Sequence, residues 1–118
     1  MADRLNSKKY WIAFTLRPRG KLVIDEGAQK ALLERGKSLL PSGIIDVEGN
    51  FDPGDPVTCV ARDGSLLAKG LVNFNSSELN KIKGLKTSQI KQVLGHKDYD
   101  EVIHRDNLAI ITKPNYKK

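Results

Sequence analysis

The pattern of apolar and polar positions predicts mostly short β-strands. Residues 10–16 are rich in aromatic and β-branched side chains, which favour strands. Residues 43–48 alternate apolar and polar side chains with the period of a half-buried strand. Asp63-Gly64 stands between two apolar runs and is typical of a tight hairpin turn. We therefore predict about six short strands, at residues 10–16, 21–24, 43–48, 57–62, 66–73 and 108–112.

One helix is predicted after the second of these strands, over residues 26–35. Ala28, Ala31 and Leu32 fall at helical spacing in this segment. Asp25 can cap the first turn, because its carboxylate can accept a hydrogen bond from a free backbone N–H. Gly36 follows the last turn and suits the left-handed conformation in which many helices end.

Two smaller helices are predicted near the C-terminal end. Asn75 and Glu78 have the spacing of a capping box, which predicts a helix to about residue 82. A second short helix is predicted from residue 87 or 88 to about Gly95. Short strands need closure or packing to protect their edges, so we predict a mainly β fold with a small α part, built as a small mixed barrel.

The triplet Gly36-Lys37-Ser38 also ends the phosphate-binding loop of many nucleotide-binding proteins. That loop needs a further glycine five residues before Gly36, where this chain has Ala31, and it precedes a helix. Here the triplet follows the predicted helix, whose C-terminal end carries partial negative charge. The triplet is therefore interpreted as a helix exit and not as a nucleotide site.

Composition and charge indicate one small cytoplasmic domain. The chain has 118 residues, a net charge of +6 and a pI near 9.5, and it contains no apolar run long enough to span a membrane. Its single cysteine, Cys59, excludes an internal disulfide. We expect a disordered segment at residues 1–9, one domain at 10–112 and a flexible basic tail at 113–118. No membrane partner is expected.

Motifs that resemble catalytic or metal sites fail on their spacing. His104-Arg105-Asp106 copies a protein-kinase triplet, but Ile111 stands where that motif needs a metal-binding Asn. His96 and the nearby carboxylates could in principle bind a divalent ion, yet surface clusters of this kind are mostly structural. We therefore predict no catalytic residue, no metal site and no cofactor in this chain, which is interpreted as a binding or structural module.

The excess of positive charge makes RNA a candidate partner. Residues 79–97 contain five lysines and no acid, whereas residues 44–56 contain four acids and no base. Lys and Arg can neutralise phosphates, and Ser and Asn can contact 2′-hydroxyls or base edges. A plain solvent-exposed lysine face explains the same charges. The candidate RNA-binding residues are Lys30, Arg35, Lys37, Ser38, Lys69, Asn73 and Asn75.

These residues and motifs resemble a known family. The marks that carry the resemblance are Asp25-x-Gly27-Ala28, Gly36-x-Ser38-Leu39-Leu40, Gly43-Ile44, Glu48-Gly49-x-Phe51, Gly54-Asp55 and Lys69-Gly70-Leu71. Together they resemble the PUA domain, a small pseudo-barrel associated with RNA. The resemblance implies that Leu39 and Leu40 enter the core after the helix exit. The flanks YWIAFTLRPRGKL and LGHKDYDEVIHRDNL are similar to the C-terminal part of bacterial glutamate 5-kinases.

The second resemblance implies that a catalytic domain lies outside this chain. Such enzymes transfer the γ-phosphate of ATP to L-glutamate with Mg²⁺, in proline biosynthesis, and their ATP and Mg²⁺ belong to a separate N-terminal kinase domain. Met1 is then not expected to be the natural start of the gene. The implied partners are the chain's own kinase domain or a neighbouring subunit of a homo-oligomer. Three hypotheses stay open: a regulatory or assembly module, an RNA-binding module, and a small intact enzyme.

Overall fold

The computed structural model describes residues 2–111, with side chains from residue 8 onward. Within that range the chain forms four α-helices, five β-strands and three short 3-10 helices. The helices are α1 (Ala2–Phe14), α2 (Glu26–Arg35), α3 (Ser76–Ile82) and α4 (Ile90–Leu94). The strands are β1 (Gly20–Ile24), β2 (Ile44–Gly49), β3 (Pro56–Val60), β4 (Leu66–Leu71) and β5 (Leu108–Ile110). The 3-10 helices are Pro41–Gly43, Thr87–Gln89 and Arg105–Asn107.

The five strands form one sheet in the order β2-β1-β3-β4-β5. Strands β1 and β3 are parallel, and every other neighbouring pair is antiparallel. An isolated bridge between Leu39 and Ile103 joins the segment after α2 to the segment before β5. Helix α1 contacts β4 and β5, while α3 contacts β2 at the opposite edge. The mainly β fold class with several small helices is confirmed.

Alternating side chains of the central strands form the core. Leu22 and Ile24 of β1 are buried, and so are Val57 and Cys59 of β3. This alternation follows from the period of two in a strand, which places every second side chain on the same face. Leu32 of α2 packs into the same cluster. The helix therefore lies against the sheet with one apolar face and leaves its charged face to solvent.

The predicted hairpin joins β3 to β4 around Asp63-Gly64. The N–H and the hydroxyl of Ser65 both donate to Asp63 Oδ1, at 2.9 and 2.6 Å. These hydrogen bonds hold the pKa of the Asp63 carboxyl below its usual value, because they stabilise the ionised form. The bond from the Ser65 hydroxyl has the largest effect, and the bond from the Ser65 N–H adds to it. Gly64 adopts a positive φ of 91° in the turn. The turn therefore lies where the local sequence predicted it.

Residues 10–16 do not form a strand, and this prediction is wrong. They lie mostly within α1, so the sheet has five strands and the helix α2 follows the first strand. Residues 2–9, expected to be disordered, are also helical. Ile12 is fully buried, whereas Tyr10 and Phe14 are exposed and their rings contact each other at a tilt of 50°, with a centroid distance of 4.8 Å. Tyr10 and Phe14 are four residues apart and therefore meet on one helix face. This contact, together with the burial of Ile12, outweighs the strand preference of the aromatic residues.

Two further expectations concern the chain after α2 and its end. Leu39 is buried as expected, but Leu40 is exposed, since the 3-10 helix Pro41–Gly43 begins there and turns the side chain outward. The C-terminal strand is present as β5. The predicted tail at 113–118 and the last predicted strand residue, Thr112, lie outside the described residues. No helix in the described part of the chain is both long enough and apolar enough to cross a bilayer.

Candidate nucleic-acid interface

Helix α2 and its exit bring three cationic residues to the surface. Asp25 caps the helix by accepting a hydrogen bond from the Ala28 N–H at 2.8 Å, and Gly36 ends it with a φ of 60°. Lys30 and Arg35 lie on the exposed part of the helix, and Lys37 is exposed directly after it. The ion pairs found among residues 8–111 involve none of these three. Their charges are therefore open to an external anion.

A groove of about 280 Å³ lies between α2 and the segment that follows it; we call it the α2 groove. Its lining residues are Asp25, Gly27, Ala28 and Ala31 on one side, and Lys37, Ser38, Leu39, Leu40, Ser42 and Gly43 on the other. Gly43 approaches the helix so closely that a Cβ there would lie 2.6 Å from Ala28 Cβ. The groove thus combines apolar walls, two hydroxyl groups, the Asp25 carboxylate and one cation.

Ser38 joins the groove to a distant part of the chain. Its Oγ accepts a hydrogen bond of 2.8 Å from the backbone N–H of Arg105, 67 positions away. The bridge between Leu39 and Ile103 places the two segments side by side. Arg105 is exposed, so a fourth cationic residue lies next to the groove. The sequence analysis considered Arg105 only within the kinase-like triplet, and no local pattern indicated this neighbourhood.

The remaining three predicted RNA-binding residues have structural roles away from the α2 groove. Lys69 is only 8% exposed, and its Nζ donates to the Leu16 carbonyl at 2.7 Å. Asn73 donates from Nδ2 to the Glu101 carbonyl at 3.0 Å. None of the three lines the groove. The position of Lys69 does not support the predicted phosphate contact, because its ammonium is buried and occupied.

Asn75 caps helix α3. Its Oδ1 accepts from the Glu78 N–H at 2.7 Å, and Glu78 Oε1 accepts from the Asn75 N–H at 3.0 Å. This is the reciprocal capping box that the sequence predicted. Asn75 lines a separate, more polar depression with Arg19 and Asn50. Its side-chain oxygen is used by the helix, which leaves the amide N–H groups as its only free polar group.

The histidine and carboxylate cluster is dispersed over the surface. His96 lies 3.7 Å from Glu78 Oε2 through Nε2 and 3.5 Å from Asp98 Oδ2 through Nδ1. His104 Nδ1 accepts a hydrogen bond from the Asp106 N–H at 3.1 Å. In the part of the chain that the structure describes, no three His, Cys, Asp or Glu side chains come together in a way that could hold a metal ion.

Comparison with known proteins decides the family. The sequence profile of the PUA domain matches residues 20–94, which contain β1 to β4 and helices α2 to α4. The chain belongs to the PUA domain family. The resemblance found in the sequence is thereby confirmed. The matched range does not include α1 and β5, which contact each other in this chain.

The chain is similar to part of a larger enzyme. It is 69% identical over 113 residues to the glutamate 5-kinase of Syntrophus aciditrophicus, a match that covers 96% of this chain and 29% of that protein. The chain therefore spans less than a third of the length of this relative. The matching part of the kinase is its PUA portion, as the sequence predicted.

Two solved structures share the fold of this PUA domain. A PUA domain from Aeropyrum pernix, in complex with tartrate, superposes with a TM-score of 0.54 at 24% identity and covers 73% of this chain and 41% of that chain. A chain of the archaeal box H/ACA sRNP complex superposes with a TM-score of 0.51 at 17% identity, covering 79% and 23%. At these identities the likeness establishes the fold.

Proposed function

We propose that this chain is the non-catalytic PUA portion of a glutamate 5-kinase and that its α2 groove binds RNA. The observation that carries the proposal is that Lys37 lines the groove at the exit of α2, with Arg35 exposed two positions before it. Lys30 adds an exposed cation on another part of the same helix, beside Glu26 and Glu34. Exposed cations neutralise backbone phosphates, which supply most of the affinity for nucleic acid. The net charge of +6 acts in the same direction at long range.

The shape of the groove favours a single-stranded nucleotide over a duplex. Its volume of about 280 Å³ is near the lower end of small-molecule pockets, which suits one base or one sugar. The apolar walls of Ala31 and Leu40 can pack against a base, while Ser42 and the exposed backbone at Gly27 can contact a 2′-hydroxyl. Lys37 at the rim is positioned to contact the adjoining phosphate.

The sRNP neighbour supports the RNA proposal. That solved structure is the Nop10–Cbf5 complex of the archaeal box H/ACA sRNP, so a chain of this fold belongs to a ribonucleoprotein. Likeness of fold is a weak argument for function, because the same fold hosts different activities. The exposed cations of this chain therefore carry the proposal, and the neighbour adds to it.

The test is a titration of structured RNA that contains single-stranded loops, at two ionic strengths, roughly 50 and 200 mM. The groove variant combines Lys30→Glu, Arg35→Glu and Lys37→Glu. A matched control combines Lys81→Glu, Lys86→Glu and Lys91→Glu, three exposed lysines of the α3–α4 region that change the net charge equally. We expect the groove variant to lose about tenfold or more in affinity at low salt, and its log–log salt slope to fall by about 2 to 3.

The control separates a site from general attraction. A small loss in the control and a large one in the groove variant supports the groove as the binding site. Equal losses in both variants would show that binding depends only on net charge, and the proposed site would be wrong. Absence of binding to the unchanged chain at low salt would remove the RNA proposal altogether.

The parent activity is part of the same proposal. The match to glutamate 5-kinases supports a parent protein that phosphorylates L-glutamate with ATP and Mg²⁺, both bound outside this chain. An assay with ATP, Mg²⁺ and L-glutamate should show turnover by the full-length protein and none by the 118-residue chain. Turnover by the chain alone would contradict the non-catalytic assignment.

A further inference from the structure

An apolar surface lies where α1 packs beside β5. Tyr10 is 65% exposed and Phe14 is 69% exposed, and Ile110 of β5 is exposed beside them. These residues border a groove of about 390 Å³, completed by Lys9, Ala13, Leu108 and Ala109. We call this surface the α1 face. It is a groove with aromatic walls and a lysine at its rim.

The α1 face is held rigidly on the sheet. Ile12, on the opposite side of the helix from the exposed rings, is fully buried. Just after the last turn of α1, the Leu16 carbonyl accepts the hydrogen bond from Lys69 of β4. Tyr10 and Phe14 are in ring contact with each other at 4.8 Å. The groove is therefore preformed, and a partner would lose little conformational freedom of this chain on binding.

Exposed aromatic side chains of this kind are typical of protein interfaces. Tyr, Trp and Phe are enriched at interface centres, where they bury large areas at a low entropy cost. A contiguous apolar groove with a polar rim differs from the single exposed apolar residues found on most surfaces. The α1 face thus has the composition of a docking surface.

The comparisons indicate which partner fits the α1 face. The PUA profile ends at residue 94 and begins at residue 20, so it contains neither α1 nor β5. The match to the glutamate 5-kinase of Syntrophus aciditrophicus spans 113 of the 118 residues, so it includes Tyr10, Phe14 and all of β5. The surface is built from the two elements that the chain shares with the kinase but not with the PUA profile.

We propose that the α1 face docks against the part of the glutamate 5-kinase chain that lies outside this segment. This inference rests on the proposed kinase parent and is independent of RNA binding, since α2 contributes nothing to the α1 face. The docked surface presents an apolar side chain to the groove between Tyr10 and Phe14. Acidic residues at its edge face Lys9, because opposite charges at a rim orient the partners.

Site-specific photo-cross-linking in the purified full-length protein tests the proposal. Phe14 is replaced by p-benzoylphenylalanine, a substitution that its exposed position accommodates. The control carries the same amino acid at Val93 of α4, which is 42% exposed and lies within the PUA profile. After irradiation, we expect position 14 to form adducts with peptides outside this segment, in the same or a neighbouring subunit. Position 93 should form no such adducts.

A second variant checks that the adduct reports docking. The cross-linker is placed at Tyr10, and Phe14→Ser is added to remove the neighbouring wall of the groove. We expect the adduct from position 10 to lose most of its yield when Phe14→Ser is present. An unchanged yield would show that the groove does not hold the partner, and it would overturn the proposal.

The remaining outcomes are equally decisive. Adducts that join α1 or β5 of two copies would show that a second copy of this segment occupies the α1 face. If positions 10 and 14 form no discrete adduct, the α1 face has no docked partner. Either result overturns the proposal. The activity assay tests the proposed kinase parent separately. If that proposal is wrong, the full-length protein will not phosphorylate L-glutamate.

Discussion

The ammonium of Lys69 donates a hydrogen bond of 2.7 Å to the backbone carbonyl of Leu16, although the two residues lie 53 positions apart. Leu16 follows the last turn of α1, where backbone carbonyls lack partners within the helix. A cation at this end also interacts favourably with the helix dipole. The bond therefore attaches α1 to the sheet, and it gives a structural role to a lysine whose sequence context had indicated RNA binding.

Replacement of Lys69 should release this attachment. Lys69→Met keeps the apolar stem but removes the hydrogen bond of the charged group, and we expect the free energy of unfolding to fall by about 1.5–3 kcal/mol. Lys21→Met is the control, because Lys21 forms only an exposed ion pair with Glu48 at 3.9 Å. That change should cost at most about 1 kcal/mol. Urea denaturation measures both, and equal stability of Lys69→Met and the unchanged chain would contradict the prediction.

A methyl group at Gly70 should be strongly destabilising. A Cβ there would lie 2.7 Å from Ile103 Cγ2 and 2.8 Å from the backbone oxygen of Asn107. Because the oxygen belongs to the backbone, relief requires the segment before β5 to move, and we expect Gly70→Ala to cost about 1–3 kcal/mol.

Gly27→Ala is the control for this substitution. Gly27 lies within α2, where a Cβ meets only Asp25 Oδ1, at 3.5 Å. Alanine should raise stability there by about 0.4–1 kcal/mol, since the helical backbone at this second position of α2 suits alanine and glycine leaves more conformational freedom to the unfolded chain. Thermal unfolding compares the two variants, and a loss in both or a gain in both would show that the close approach at Gly70 is not decisive.

The left-handed exit of α2 should tolerate asparagine better than alanine. Gly36 has a φ of 60°, and a Cβ at this position would meet no atom within 4 Å. The cost of a side chain is therefore conformational: about 1–2 kcal/mol for Gly36→Ala, and less for Gly36→Asn, because asparagine adopts this region more readily. Urea denaturation of both variants measures the difference. Equal losses would mean that the exit conformation changes upon substitution.

Stability should decrease in alkaline solution because of Cys59. Burial raises the pKa of the Cys59 thiol from 9.0 to about 12, since the thiolate would be desolvated in the core. The unfolded chain releases this proton near pH 9 and the folded chain retains it, so the thiol's contribution is complete below pH 9 and is lost as the pH rises towards 12. The decrease approaches about 1.4 kcal/mol per pH unit.

Cys59→Ala isolates this contribution. Unfolding free energies of the two chains are measured in urea between pH 7 and pH 11, and the variant should show a shallower decrease above pH 9, although it is less stable at neutral pH. A disulfide reagent should also leave the folded thiol unmodified at pH 8 and modify it in urea. Parallel pH profiles for the two chains would contradict the assignment.

Features that depend on neighbours within a few residues were predictable from the sequence. The bounds predicted for α2, residues 26–35, are those of the structure, with Asp25 and Gly36 at its ends. The capping box of Asn75 and Glu78 is another example. Each rests on a hydrogen bond or a backbone conformation that a few adjacent residues determine, so the local pattern contains the necessary information.

Features that depend on distant contacts were not predictable. The segment 10–16 contains residues with strand preference, yet residues 10–14 are helical because Ile12 fills the core and Leu16, just after the helix, meets Lys69. At the candidate RNA site, the position of Lys37 followed from the helix exit. The presence of Arg105 beside Ser38 followed only from the pairing of two segments 67 positions apart.

The amino-acid sequence by itself determined the PUA family, the mainly β class, helix α2 and the turns, because spacing and capping act over one or two turns of chain. The tertiary structure decided that α1 is a helix, that Lys69 is an internal anchor, and that the α2 groove and the α1 face are separate surfaces. Those outcomes depend on which segments are brought together when apolar side chains leave water, and that choice is made by the whole chain at once.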